Sequence, residues 1–235
     1  MSRSVRTRRQ FGEGPLAGPA AFVYTLLTVE LMVLIATLPG LVPLALLGSD
    51  ASNLPLAAAC AIPLGPALSA ALYALHHRRG DLTELEPVAA FWRGYRRNLR
   101  DVLWVWLPAL LWLTVVAVNL TNFVNASVPG WWAALLAVVG VGVTLWLANA
   151  LVIASLFAFR PRDTAKLAAY YLGHTPGVTL GNACLLIVAG AIIVLLSEVV
   201  LVLLVPVLLL SLLRTAQPMI TQIRENFTVP EESTA

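Results

Sequence analysis

The most informative feature of this 235-residue chain is the distribution of its positive charges. All 15 Lys and Arg residues fall in a few groups, and the long apolar stretches between the groups contain none of them. Every group can be placed on one side of a membrane, as the positive-inside rule requires. The pattern predicts a polytopic membrane protein. The groups are Arg3, Arg6, Arg8 and Arg9; Arg78, Arg79, Arg93, Arg96, Arg97 and Arg100; Arg160, Arg162 and Lys166; Arg214; and Arg224.

The apolar stretches between these groups have the length of membrane-spanning helices. An α-helix needs about 20 apolar residues to cross roughly 30 Å of hydrocarbon. We therefore predict an all-α membrane helical bundle with about six transmembrane helices and with both termini in the cytoplasm. A single helix over 179–213 would be about 50 Å long, so the last two spans are separated at Ser197 and Glu198. The predicted spans are 20–47, 54–75, 102–123, 131–158, 179–196 and 199–217.

Composition supports this class and excludes others. The chain is 59% hydrophobic and only 11% charged, which is far from a soluble globular domain. Its net charge of +3 reflects loops that face an anionic inner leaflet, so we predict a lipid bilayer as partner and no nucleic acid. The large excess of Arg over Lys points to a GC-rich bacterial genome and hence to the bacterial cytoplasmic membrane. Residues 1–19 and 218–235 are predicted to be cytoplasmic segments on either side of the transmembrane domain 20–217.

The segment 87–100 has the pattern of an amphipathic helix. Its apolar and aromatic residues recur at helical spacing, and four arginines occupy the other side. Basic helices of this kind lie in the plane of the inner membrane interface. Two interpretations are open: an interfacial anchor, or a docking surface for another protein. The residues of this candidate site are Phe91, Trp92, Arg93, Gly94, Tyr95, Arg96 and Arg97.

Polar residues inside the predicted spans form a second candidate site. Glu30 is the only acid well inside a span, and a charge in hydrocarbon costs several kcal/mol unless it is paired or hydrated. Asn149 and Asn182 are amides at comparable positions in other spans. The carboxyl of Glu30 is predicted either to join helices, protonated or hydrogen-bonded to Asn149, Asn182 or Thr residues, or to belong to an intramembrane site for a solute, ion or proton.

Signatures of an enzyme are missing from the sequence. His76, His77 and His174 have no spacing to Cys, Asp or Glu that would make a metal site. Ser155 and Ser197 have no neighbouring base that would activate a nucleophile. The chain has no Walker lysine. We therefore predict a non-enzymatic protein without a metal or cofactor.

Three segments resemble one known family. They are Phe11–Leu16 before the first span, Gly65–Leu68 with Ala71–Tyr73 in the second, and Phe91–Asn98 before the third. These motifs are similar to those of the YesL family of bacterial integral membrane proteins. That family is a domain of unknown function whose members are often encoded beside carbohydrate ABC importers and glycan-degrading enzymes. The family has no established site residues that this chain would inherit.

A second resemblance concerns the segment from Ala89 to Pro108. Ala89 and Ala90, Gly94, and the pair Leu107 and Pro108 resemble the cytoplasmic coupling loop of binding-protein-dependent ABC importers. The acid, Glu86, is two places early, and the spacing to Leu107 is one residue longer.

Together, these resemblances imply an accessory or assembly subunit of a carbohydrate ABC importer, which contacts a permease or its ATPase. The alternative is an autonomous transporter of small solutes or ions, in which Glu30, Asn149 and Asn182 line the pathway.

Overall fold

The computed structural model describes residues 17–48, 50–77, 86–123 and 129–227. Within these ranges the chain is all-α, with ten α-helices, one short 3-10 helix at Ala51–Asn53 and no β-strand. The predicted Phe11–Leu16 motif lies outside the described residues, as do 1–16 and 228–235 of the predicted terminal segments. The helices are α1 Ala17–Leu46, α2 Leu54–Cys60, α3 Leu64–His76, α4 Glu86–Thr121, α5 Trp131–Leu156, α6 Pro161–His174, α7 Pro176–Leu195, α8 Glu198–Leu203, α9 Val205–Thr215 and α10 Gln217–Phe227.

Several of these helices have the length and composition of membrane spans. Among the described residues, α1, α4, α5 and α7 each meet both criteria, and α2 and α3, which are bent by 43° at the break between them, meet the criteria only when they are taken together. The chain is thus a multi-pass membrane bundle, and the predicted fold class is confirmed. The sixth predicted span, 199–217, is divided between α8 and α9, and neither short helix has the length of a span.

The break between α2 and α3 has a local cause, and a tryptophan of α4 packs against it. Pro63 and Pro66 lack the backbone N–H groups that would continue the helical ladder. The Ala61 carbonyl at the break accepts a hydrogen bond from the Trp106 indole Nε1 of α4 at 3.1 Å. A Cβ atom added at Gly65 would lie 2.5 Å from the same indole ring. The indole therefore packs directly on the backbone of the broken helix.

Helix α4 differs from its prediction. The sequence predicts an interfacial helix near 87–100 and a separate span from 102, but the structure has one helix of 36 residues, about 54 Å long. No helix-breaking residue separates Arg100 from Val102, so the backbone continues through the change from basic to apolar sequence. The amphipathic segment is therefore the N-terminal part of the same helix as the predicted span.

Helix α3 lies at the centre of the bundle. Ten of its 13 residues are buried, and α1, α4, α5 and α9 pack around it. Small side chains such as Ala70 and Ala71 allow this close packing of helices, as in other membrane bundles. In the N-terminal half of α4, a Cβ atom added at Gly94 would lie 2.8 Å from Tyr73 Cβ. The amphipathic part of α4 is thus held tightly against α3.

The chain reverses direction after α7. Helix α7 ends at Leu195, and the Ser197 hydroxyl caps the next helix by accepting a hydrogen bond from the Val200 backbone N–H at 3.3 Å. Helix α9 packs against α7, and Gly181 lies in direct contact with Thr215. The break between the last two apolar stretches thus lies at the position where the sequence separates them, Ser197 and Glu198.

Helix α10 is part of the folded bundle, although the sequence assigns it to a C-terminal tail. Tyr171 of α6 is hydrogen-bonded to Asn226, and Arg224 interacts electrostatically with His76, the last residue of α3. These contacts place α10 at the end of the bundle where α3 ends and α6 lies. Three of its residues are buried in the hydrophobic core, namely Met219, Ile220 and Ile223.

Candidate functional site

The seven predicted docking residues occupy opposite sides of α4. Phe91 is fully buried and Gly94 packs against Tyr73, so both hold the helix in place and do not face a partner. Tyr95 is half-buried and stacks near the Phe91 ring, with centroids 6.3 Å apart. The four remaining residues are exposed, and together we call them the α4 basic face: Trp92, Arg93, Arg96 and Arg97.

A shallow cleft opens on the α4 basic face. Its volume is about 570 Å³, and Ala89, Trp92, Arg93 and Arg96 line it. The Trp92 ring leans edge-on against Tyr95, with ring centroids 5.6 Å apart and planes at 67°. The Trp92 indole is 37% exposed, and its contact with the half-buried Tyr95 ring orients it. An aromatic ring beside guanidinium groups on a rigid helix can bind an acidic or aromatic surface of another molecule.

A buried polar cluster joins α4 to α3 and α5, and the sequence analysis did not identify it. The Asn98 amide donates to the Ser69 hydroxyl at 3.4 Å and to the Ser155 carbonyl at 3.2 Å. The two serine hydroxyls lie 2.9 Å apart. All three side chains are at least 93% buried. Asn98 lies seven residues after Phe91 and therefore on the same, apolar side of the helix. A polar residue at such a position is the sequence signal that could have predicted a buried hydrogen bond.

Glu30 lies in the bundle without the predicted amide partner. Its side chain is 7% exposed, and neither carboxylate oxygen has a hydrogen-bond partner among the described residues. It belongs to the inner side of α1, beside the fully buried Val29. The structure therefore does not join Glu30 by hydrogen bonds to Asn149 or Asn182.

Asn149 and Asn182 are brought together across α5 and α7. The Asn182 Nδ2 donates to the Asn149 Oδ1 at 3.0 Å, and both side chains are almost fully buried. The Asn149 Nδ2 and the Asn182 Oδ1 have no hydrogen-bond partner among the described residues. Interhelical hydrogen bonds of this type contribute about 0.6 to 2 kcal/mol in membrane bundles. The pair therefore joins α7 to the bundle, and it leaves one donor and one acceptor free.

The side chains considered for catalysis are used in packing. Ser155 belongs to the buried cluster with Ser69 and Asn98. His77 Nδ1 lies 3.0 Å from the Tyr73 carbonyl oxygen, and His174 stacks on Tyr170 with ring centroids 4.8 Å apart. In the part of the chain that the structure describes, no three His, Cys, Asp or Glu residues are arranged to hold a metal ion.

Comparisons with protein-family models, with curated proteins and with solved structures gave no match for this chain. Membership of the YesL family therefore stays a prediction from the sequence motifs.

Proposed function

We propose that this chain is a non-enzymatic accessory or assembly subunit of a carbohydrate ABC importer in the bacterial cytoplasmic membrane. The proposal rests on the α4 basic face, where exposed Trp92, Arg93 and Arg96 line a cleft of about 570 Å³ and Arg97 is exposed beside them. The resemblance to the YesL family and to the importer coupling loop indicates the kind of partner, a permease or its ATPase.

The α4 basic face is both rigid and exposed. Phe91, Gly94 and Asn98 fix the inner side of the helix against α3 and α5. A preformed surface loses little conformational entropy when a partner binds. Trp and Arg are also the residues that contribute most often to binding hot spots, because they combine large contact area with directed hydrogen bonds. The partner is expected to present carboxylates, which the guanidinium groups bind in bidentate fashion.

Replacing Arg93, Arg96 and Arg97 by Gln tests this function. After crosslinking in native membranes and affinity purification, the wild-type chain is expected to recover importer subunits from cells grown on an inducing glycan. Recovery by the triple variant is expected to fall at least tenfold, since each lost charge-assisted contact costs about 1.5 to 3 kcal/mol.

The matched control removes three exposed cations elsewhere, at Arg160, Arg162 and Arg214. This variant has the same net charge as the first and is expected to recover importer subunits like the wild type. If the wild type recovers none, or if both triple variants lose them equally, the docking function is wrong.

The alternative function, an autonomous transporter, is favoured by the buried groups that lack partners. Glu30, Asn149 and Asn182 have buried carboxylate and amide atoms without a hydrogen-bond partner in the part of the chain that the structure describes. Such groups mark solute or proton pathways in many membrane proteins. An autonomous transporter would move a small solute or ion through reconstituted vesicles without any importer subunit.

The substitution Glu30→Gln separates the two functions. We expect it to leave recovery of importer subunits unchanged, because Glu30 is buried on α1 and is not part of the α4 basic face. Under the alternative it would abolish flux in vesicles, whereas the exposed Glu198→Gln would not. Solute flux that disappears with Glu30→Gln alone would favour the transporter.

A further inference from the structure

A second cleft lies between α6 and α10, on helices that the proposed docking surface does not use. Its volume is about 350 Å³, within the range of sites that bind small molecules. The polar and aromatic side chains that line it are Lys166, Tyr170, Tyr171 and His174 from α6 and Gln222 and Asn226 from α10.

The walls of this cleft are fixed by the hydrophobic core. On α6, Ala168 and Tyr171 are at most 1% exposed, and on α10 the buried residues Met219 and Ile223 are fully covered. The hydrogen bond between Tyr171 and Asn226 joins the two helices directly. Burial raises the pKa of the Tyr171 phenol above its usual value. The cleft is therefore a built feature of the bundle.

The lining of the cleft favours a ligand with an anionic group. Lys166 supplies a positive charge, and His174, Gln222 and Asn226 supply N–H donors, whereas no described carboxylate lines the cleft. Phosphate oxygens accept hydrogen bonds from all of these groups. The amide oxygens and the exposed Tyr170 ring can in addition bind the hydroxyl and CH groups of a polyol.

We propose that the cleft between α6 and α10 binds a phosphate ester that carries free hydroxyl groups, with Lys166 on the phosphate and Gln222 and Asn226 on the polyol. Two sources have this chemistry: a soluble polyol phosphate, or the headgroup of a lipid such as phosphatidylglycerol. Basic pockets at the cytoplasmic ends of membrane helices are known to bind lipid headgroups. The site is independent of the α4 basic face, so its test does not depend on the docking function.

Binding is measured on the full-length protein, purified in detergent and stripped of lipid. Glycerol 3-phosphate is titrated by calorimetry, and phosphatidylglycerol is compared with phosphatidylcholine by native mass spectrometry. Saturable binding of glycerol 3-phosphate would indicate a soluble ligand. Retention of phosphatidylglycerol without binding of glycerol 3-phosphate would indicate a lipid headgroup. Either result supports the site, and the absence of both overturns it.

Variants locate the ligand in the cleft. Lys166→Gln is expected to weaken binding at least tenfold, and Gln222→Glu, which places a carboxylate in the cleft, should have a similar effect. Arg160→Gln is the matched control, because it removes one exposed charge beside the same helix and outside the cleft. All variants should elute like the wild type in gel filtration. Binding that survives Lys166→Gln, or that falls equally with Arg160→Gln, would overturn the proposal.

Discussion

Replacement of Gly40 by alanine is expected to destabilise the bundle by about 3 kcal/mol or more, because α1 and α2 touch at this residue. A Cβ atom at Gly40 would overlap the backbone carbonyl oxygen of Cys60, and it would lie 3.0 Å from the Pro63 ring. A backbone oxygen cannot rotate away as a flexible side chain can. The helices would have to separate, and the packing of the broken span on α1 would be lost.

The measurement is the thermal midpoint of the purified protein in detergent, followed by gel filtration after heating. Gly142→Ala on α5 is the matched control, since an added Cβ there meets no heavy atom within 4 Å. Alanine favours a helix over glycine by about 1 kcal/mol, so this control is expected to be neutral or slightly stabilising. Equal midpoints for both variants would show that α1 and α2 do not approach each other at Gly40.

The substitution Asn98→Asp is expected to destabilise the protein by about 3 kcal/mol, because it removes the donor of the buried cluster. The Asn98 amide donates to the Ser69 hydroxyl and to the Ser155 carbonyl. A carboxylate at this position would place its negative charge against the carbonyl oxygen, in a site that is 7% exposed. A buried charge without a partner is strongly unfavourable.

The matched control for this prediction is Asn119→Asp on the same helix. Asn119 is exposed, and its amide donates to the Val115 carbonyl of its own helix at 2.7 Å. Loss of such an exposed bond is expected to change stability by less than about 0.5 kcal/mol. Chemical denaturation in detergent, monitored by tryptophan fluorescence, compares the two variants. If they unfold at the same denaturant concentration, Asn98 does not hold α4 to its neighbours.

Hydropathy identified the fold class but not the ends of the helices. The change from basic to apolar sequence near Arg100 marks where a segment leaves the membrane, and it carries no information about where the backbone stops being helical. Helix α4 therefore runs through this point without a break. The prolines at 63 and 66 do act on the backbone itself, since they remove hydrogen-bond donors, and α2 and α3 are bent by 43° at this break.

The exposure of the candidate docking residues was predictable only where helical periodicity decides which side of the helix they occupy. The helical spacing of the apolar residues in 87–100 predicted an amphipathic helix. Its polar side is exposed in the structure, and this side includes Trp92, Arg93, Arg96 and Arg97. The role of Gly94 depends on the approach of Tyr73 from another helix, and contacts between distant segments are not contained in a local pattern.

The hydrogen-bond partners of buried polar groups could not be predicted from the sequence either. Asn149 and Asn182 lie 33 residues apart and meet because α5 and α7 pack together. The sequence predicted the same two residues as hydrogen-bond partners of Glu30. In the structure its carboxylate bonds to neither of them. The sequence did not predict α10 as part of the bundle, because the segment is too polar for a membrane span. Its short apolar stripe is nevertheless buried, at Met219, Ile220 and Ile223.

Site-specific photocrosslinking on α4 tests the docking claim most directly. Benzoylphenylalanine is placed at position 92 or at position 104, which are both occupied by exposed tryptophans in the natural chain, 37% and 64% accessible respectively. In induced cells, position 92 is expected to form a covalent adduct with a permease or ATPase subunit, whereas position 104 in the span should crosslink to lipid alone. Absence of a protein adduct at position 92, or the same adducts at both positions, would contradict the α4 basic face as a docking surface.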